Sequence, residues 1–232
     1  MKRTIVLLLV CLCICFWAGL ASPGGESVPA YVPAAYELHT VVVDAGHGGE
    51  DGGAVSAAGD RESGINLAIA LRCDQLLGLC GVPAVLTRAD DRSIHSPEAR
   101  TLREKKVSDL HNRVSLVEGQ RGAMLLSIHQ NSYPEARYHG AQVFYGRGEE
   151  SRLWGELTQR TLLALDGENR RAAKPISEGV YLMAHVNCPA ILVECGFLSN
   201  PEEAARLLTP EYQTKAAAAL VSACMQQLWA MG

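Results

Sequence analysis

Three short apolar runs in this sequence each end on a side chain able to bind a metal or move a proton. Val41-Val42-Val43 leads through Asp44-Ala45-Gly46 to His47, Met124 to Ile128 leads to His129, and Ala190 to Val193 leads to Glu194. A neutral imidazole is a good zinc ligand, and a hydrolytic zinc site takes three protein ligands and keeps one position open. Glu62, just before a helical pattern, offers a carboxylate to complete a set with His47 and His129. Glu194 follows four apolar residues directly, where a carboxylate is expensive to place unless it is paired or at work. Beside a metal, such a group can serve as general base on water.

Each of these residues also has a plainer reading. A histidine near a strand end is commonly a satisfied structural residue, and a glutamate in a first helical turn commonly complements the helix dipole. A buried glutamate commonly pairs with an arginine. Cys195, next to Glu194, opens another chemistry, a thiol nucleophile with His129 as its base. The chain carries no H-E-x-x-H, G-x-S-x-G or G-x-G-x-x-G, which sets aside the commonest zincin, serine-hydrolase and dinucleotide signatures. Glu50 and Asp51 in the first glycine loop would repel phosphate.

The elements that must position these groups follow from periodicity. The β-branched run before Asp44 reads as a strand buried on both faces, and the glycines after it permit turns with positive φ. A helix is predicted from Glu62, with Ile65, Ile69, Cys73, Leu76 and Cys80 along one stripe. Cys73 and Cys80 are then about two turns, roughly 10 Å, apart, which excludes a disulfide and assigns both to packing. Val82 to Leu86 reads as a second strand, and Thr87 to Lys106 as a polar lobe beside the site. Ser108 to Gly119 is predicted helical, capped by Ser108 or Asp109, with Leu110, Val114 and Val117 inward.

Ala123 to Ile128 and Ala141 to Tyr145 read as strands, followed by a helix from Glu149 to about Leu165 with its stripe at Leu153, Leu157 and Leu162. Asp166 to Glu178 reads as a polar loop and Val180 to Met183 as an edge strand. Asn200-Pro201-Glu202-Glu203 is a strong helix start, repeated in kind at Thr209-Pro210-Glu211. The last helix buries Tyr212, Ala216, Leu220, Cys224 and Leu228. Strands alternating with helices predict a single α/β domain, a largely parallel sheet covered by helices on both faces. In such sheets ligands bind at the carboxyl edge, where all three apolar runs deliver their polar residue.

Length and composition bound the rest. A chain of 232 residues with 48% hydrophobic content is one globular domain plus a tail. Residues 1–21 set Lys2 and Arg3 before an apolar run ending Gly19-Leu20-Ala21, a signal peptide or an uncleaved N-terminal anchor, so the protein is expected to be exported. Residues 22–37 form a Pro/Gly/Ala-rich linker, and the catalytic domain spans 38–232. Beyond residue 21 there remain 19 basic against 25 acidic residues, a net charge of −6, with no basic patch for nucleic acid or lipid. Five cysteines remain there, an odd number without zinc-finger spacing, so no disulfide framework is expected.

These residues resemble the zinc-dependent N-acetylmuramoyl-L-alanine amidases, the type-3 amidase family, from about Val41 to Leu228. The resemblance rests on Asp44-Ala-Gly-His-Gly-Gly49 with Gly52-Gly53-Ala54, on Glu62 followed by Asn66-Leu67, and on Leu86-Thr-Arg88. Ser127-Ile-His-Gln-Asn-Ser132 and Val193-Glu-Cys-Gly-Phe-Leu-Ser-Asn200 complete it. It implies His47, Glu62 and His129 as ligands of one Zn2+, Glu194 as the catalytic glutamate, and a sheet of about six strands. It also implies peptidoglycan as substrate, cut at the amide between the lactoyl group of N-acetylmuramic acid and L-alanine. Ala45 replaces a common proline and Ser63 a common basic residue, neither of them a proposed ligand.

Asp91 to Ser96, Arg103 to Arg113 and Glu168 to Ile176 are similar to the subgroup that processes spore cortex for germination. That likeness implies action in the wall or cortex compartment and a partner deacetylase that completes muramic-δ-lactam formation. The sequence has no recognisable wall-binding repeat, so an accessory activating protein is a further expected partner. A general vegetative cell-wall amidase and a catalytically inactive peptidoglycan-binding protein are the competing readings.

Overall fold

Three consecutive valines, Val41 to Val43, open the first strand, β1 (Thr40–Ala45), and all three are fully buried. The computed structural model describes residues 39–231; the expected signal or anchor, 1–21, and the linker, 22–37, lie outside the described residues. β1 pairs in parallel with β2 (Ala84–Leu86) on one side and β3 (Ala123–Asn131) on the other. β6 (Ala190–Phe197) runs parallel beside β3, β4 (Gln142–Tyr145) lies antiparallel to β6, and the two-residue β5 (Lys174–Pro175) closes the edge. The six-stranded order is β2-β1-β3-β6-β4-β5. The expected α/β domain with its largely parallel sheet is therefore present.

Alternation along the central strands builds a core on each face. Val41, Val43, Met124, Leu126, Ile191 and Val193 share one cluster with residues of α1 (Glu62–Leu79), α3 (Glu149–Leu163) and α6 (Pro210–Met231). Val42, Leu125 and Leu192 face the other way, against Val117 of α2 (Leu102–Glu118) and Leu182 and Met183 of α4 (Tyr181–His185). Each such fully buried aliphatic side chain contributes about 1.5–3 kcal/mol. α5 (Pro201–Leu207) starts as predicted, with the Asn200 side chain accepting from the amides of Glu202 and Glu203. No helix among the described residues is long and apolar enough to cross a membrane.

Several boundaries differ from the sequence expectation. α2 begins at Leu102 rather than Ser108, because Thr101 and Glu104 form a reciprocal capping box. Ser108 and Asp109 are no caps; they accept the amides of Ser96 and Ile94 and pin the preceding loop to the helix. Of the segment Val180 to Met183, all but the extended Val180 is helical, in α4, and the edge strand lies instead at Lys174–Pro175, inside the expected loop. Proline is tolerated there because an edge strand can leave one side unpaired. On α3 the buried row runs through Trp154, Thr158 and Leu162, which leaves Leu153 exposed. α1 ends at Leu79, so Cys80 is exposed while Cys73 is buried; the packing role holds for Cys73 alone.

Candidate metal centre

His47, Glu62, His129 and Glu194 meet at the carboxyl edge of the sheet. His129 and Glu194 are direct partners in the register of β3 and β6, so the pleat sends both toward the α2 and α4 side. Glu62 is the first residue of α1, on the opposite face, and reaches the same spot over the strand ends. His47 follows β1 by two residues with φ 61°, the left-handed region that side-chain-bearing residues rarely adopt. Among the described residues it is the one non-glycine with positive φ.

Buried donors hold that strained turn by its carbonyl oxygens. Arg88 donates to Ala45 and Gly46, each at 3.0 Å, and to Ser63 at 2.8 Å. Arg113 donates to Ala45 at 2.9 Å and to His47 at 2.8 Å, and Asn66 to Gly46 at 3.2 Å. Arg113 also forms ion pairs with Asp44 and Asp109. Burial alone would push the Asp44 carboxyl up, but Arg113 and the Ser127 hydroxyl outweigh it and hold it below the usual range.

His47, Glu62 and His129 each present one donor atom, all within 4.8 Å of one another, so the three could hold one metal ion. His47 Nε2 lies 3.3 Å from Glu62 Oε2, and His129 Nδ1 lies 2.9 Å from Glu62 Oε1. The two rings meet edge-on, with centroids 5.0 Å apart. Glu62 is no exposed dipole complement: it is 3% exposed and accepts from the amides of Ala54 and Gln130 and from Asn66. Two glycines clear the space. A Cβ on Gly46 would sit 2.3 Å from His129 Cε1, and one on Gly53 only 2.5 Å from Glu62 Oε2.

The charge balance favours a cation. Burial would push Glu62 up and His47 down, yet His129 and then His47 outweigh it at Glu62, which is held far below the carboxylate range, and Glu62 with Asp51 outweighs it at His47, which is raised. Two imidazoles and one carboxylate match the three N/O ligands of a hydrolytic zinc. Glu194 faces this set. Burial raises its carboxyl to about 7, and its Oε2 is buried with no hydrogen-bond partner among the described residues, none of whose arginines neutralises it. An orphaned carboxylate oxygen beside a cation-favouring cluster fits the same ion.

Cys195 falls on the opposite side of the pleat, in the core with Val193, and burial pushes its thiol up to about 12. A thiol so placed cannot act with His129. His47, His129 and Glu194 line a cleft of about 240 Å³ with Leu110, Tyr181 and Met183. Beyond Asp51 and Lys106 lies a second cavity of about 200 Å³, lined also by Glu50, Leu102 and Lys105.

The sequence brought out all four of these side chains but gave Asp51, Asn66, Arg88 and Arg113 no part in holding them. A faint signal existed for three of them: Asp51 stands four residues after His47, Asn66 four after Glu62, and Arg113 four after Asp109. For Arg88 no local spacing points to the turn it braces.

Such a sheet, with this cluster at its carboxyl edge, places the protein among α/β hydrolytic enzymes. The chain belongs to the N-acetylmuramoyl-L-alanine amidase family, which it matches over residues 41–226, and is an amidase acting on peptidoglycan. It is 36% identical over 181 residues to the germination-specific N-acetylmuramoyl-L-alanine amidase of Bacillus subtilis, covering 78% of this chain and 76% of that one. The CwlD amidase of Clostridioides difficile, solved in complex with the GerS lipoprotein, matches with a TM-score of 0.79 at 36% identity, over 82% of this chain and 98% of that one. The catalytic domain of CwlV, an N-acetylmuramoyl-L-alanine amidase from Bacillus (Paenibacillus) polymyxa, matches with a TM-score of 0.69 at 27% identity, over 82% and 97%.

Proposed function

We propose that this amidase is zinc-dependent and hydrolyses the bond between the lactoyl group of N-acetylmuramic acid and L-alanine, in spore cortex maturation. His47, Glu62 and His129 would hold the ion, and Glu194 is the general base and then the general acid. The observation that carries this reading is the buried, unpartnered Glu194 oxygen beside three donor atoms within 4.8 Å of one another.

Zinc in such a site supplies Lewis acidity toward a carbonyl and lowers the pKa of water. Glu194 accepts the proton from the attacking water at a carboxylate oxygen. As the new C–O bond forms and the C–N bond breaks, Glu194 returns that proton to the departing alanine nitrogen. Burial raises this carboxyl in the metal-free chain, which suits a group that must give up a proton as well as accept one. Arg88 and Arg113 keep the His47 turn fixed while this happens, so the ligand set need not reorganise.

The cortex role is supported by the relative named germination-specific at 36% identity. An accessory protein is supported by the lipoprotein bound to CwlD, and a deacetylase would act on the product. Residues 1–21 would export or anchor the enzyme and 22–37 would link it to the 38–232 domain, placing it outside the cytoplasmic membrane.

The test is mass spectrometry of cortex and vegetative wall fragments after incubation with the purified enzyme, with and without chelator. Expected is chelator-sensitive release of peptides beginning with L-alanine, faster from cortex. Release that ignores the chelator overturns the zinc reading, equal rates on both substrates overturn the cortex role, and no release by the zinc-loaded protein favours a binding protein.

A further inference from the structure

Asp51 sits behind His47, on the far side of the ring from Glu62. Its Oδ2 lies 3.1 Å from His47 Nδ1, whereas His47 Nε2 points to Glu62 Oε2 at 3.3 Å. Asp51 is itself fixed. Its Oδ1 accepts the Gly53 amide at 3.2 Å, its backbone exchanges two hydrogen bonds with Gly48, and Lys106 Nζ approaches Oδ2 at 3.2 Å. Asp51 and Glu62 both only accept, so the proton of a neutral His47 ring is sought from both sides. A cation taking the Nε2 lone pair leaves that proton on Nδ1, facing Asp51.

We propose that Asp51 is a positioning residue of the metal centre: by accepting the Nδ1–H of His47 it selects the tautomer and fixes the ring on its left-handed backbone. This rests on the reading of His47, Glu62 and His129 as a cation site. The need is greater here than at an ordinary ligand. With φ at 61°, the His47 backbone sits outside the comfortable regions, and its side chain is partly exposed. Lys106 gives the same carboxylate oxygen a second partner. Partners of this kind typically change metal affinity by 10–100-fold when removed.

The experiment is zinc binding by competition with a chromophoric chelator, on wild type, Asp51→Ala and the isosteric Asp51→Asn, alongside thermal unfolding of each metal-free protein. The expected result is a weakening of about 10–100-fold in Asp51→Ala and a smaller one in Asp51→Asn, whose carbonyl still accepts. Cobalt(II)-substituted Asp51→Ala should also show a changed visible spectrum, which loss of a purely structural contact would not produce. Metal-free melting points should differ little among the three. Zinc affinity within twofold of wild type in both variants overturns the positioning role. So does an affinity loss that only tracks a lowered metal-free melting point. If Asp51→Ala does not fold, Asp51→Asn carries the test with the same criteria. A wild-type protein that binds no zinc would instead overturn the centre itself.

Discussion

The guanidinium of Arg113 donates to the carbonyl oxygen of His47 at 2.8 Å, across 66 positions of sequence. With its other nitrogens it pairs with Asp44 and Asp109, so one buried side chain joins strand β1, helix α2 and the glycine loop. The ring that faces Glu62 is thereby held from its own backbone outward.

Replacing Arg113 by Met would leave Asp44, 1% exposed, as an uncompensated buried charge. Removing one partner of such a pair typically costs about 3–5 kcal/mol. Arg113→Met should lose stability of that order in denaturant unfolding, and Arg113→Lys should recover only part of it, because an ammonium cannot span all these acceptors. A loss below about 1 kcal/mol would contradict the central place given to this pair.

Glu194→Gln should bind zinc as wild type does while turnover falls by about 10²–10⁴-fold. The same variant tests burial. Because the folded-state carboxyl is raised to about 7 from 4.5, the folded chain holds the proton more tightly than the unfolded one. The wild-type contribution is then fully present below about pH 4.5 and is lost as pH rises through 7. Metal-free Glu194→Gln should therefore gain about 3 kcal/mol over wild type at pH 8, an advantage that vanishes near pH 4. A difference independent of pH would refute the raised carboxyl.

Gly46→Ala tests whether the glycine exists to make room. The added methyl would lie 2.3 Å from Cε1 and 2.4 Å from Nε2 of His129, so the ring must move. Zinc affinity should fall by on the order of tenfold or more while the far-ultraviolet spectrum stays native. Unchanged affinity would mean that the ring has slack the structure does not display.

Zinc affinity should also decline toward acid. His47 is raised by Glu62 and Asp51, so protons compete for its ring at a higher pH than for a free imidazole. Isothermal titration at several pH values should find weaker binding and net proton release as pH falls through the imidazole range. Binding that stays flat from pH 8 to about 5 would exclude His47 as a ligand.

Much of this was legible locally. Hydrophobic runs leading to a histidine or a glutamate predicted the three central strands and the edge at which they deliver their polar ends. Spacing predicted the α1 and α6 faces, because alternation and the helical repeat are properties of neighbours in the chain. The α2 start was also written locally, as Thr101 and Glu104, but the stronger apolar pattern beginning at Leu110 obscured it. Leu153 and Trp154 show a different failure: adjacent residues can each begin a plausible stripe, and only contact with α6 and the sheet selects Trp154.

The sequence by itself determined which residue types stand at the strand ends, and so the chemistry open to the protein. Tertiary structure alone decided that Glu62 is buried, that Glu194 has no arginine partner among the described residues, that Cys195 faces away, and that Asp51, Arg88 and Arg113 brace His47. The reason is distance along the chain. A local pattern says which side chains are polar, but the acceptor that a long, buried arginine reaches depends on how elements 25 to 69 residues apart cross. That crossing is set by packing of the whole core, not by any segment within it.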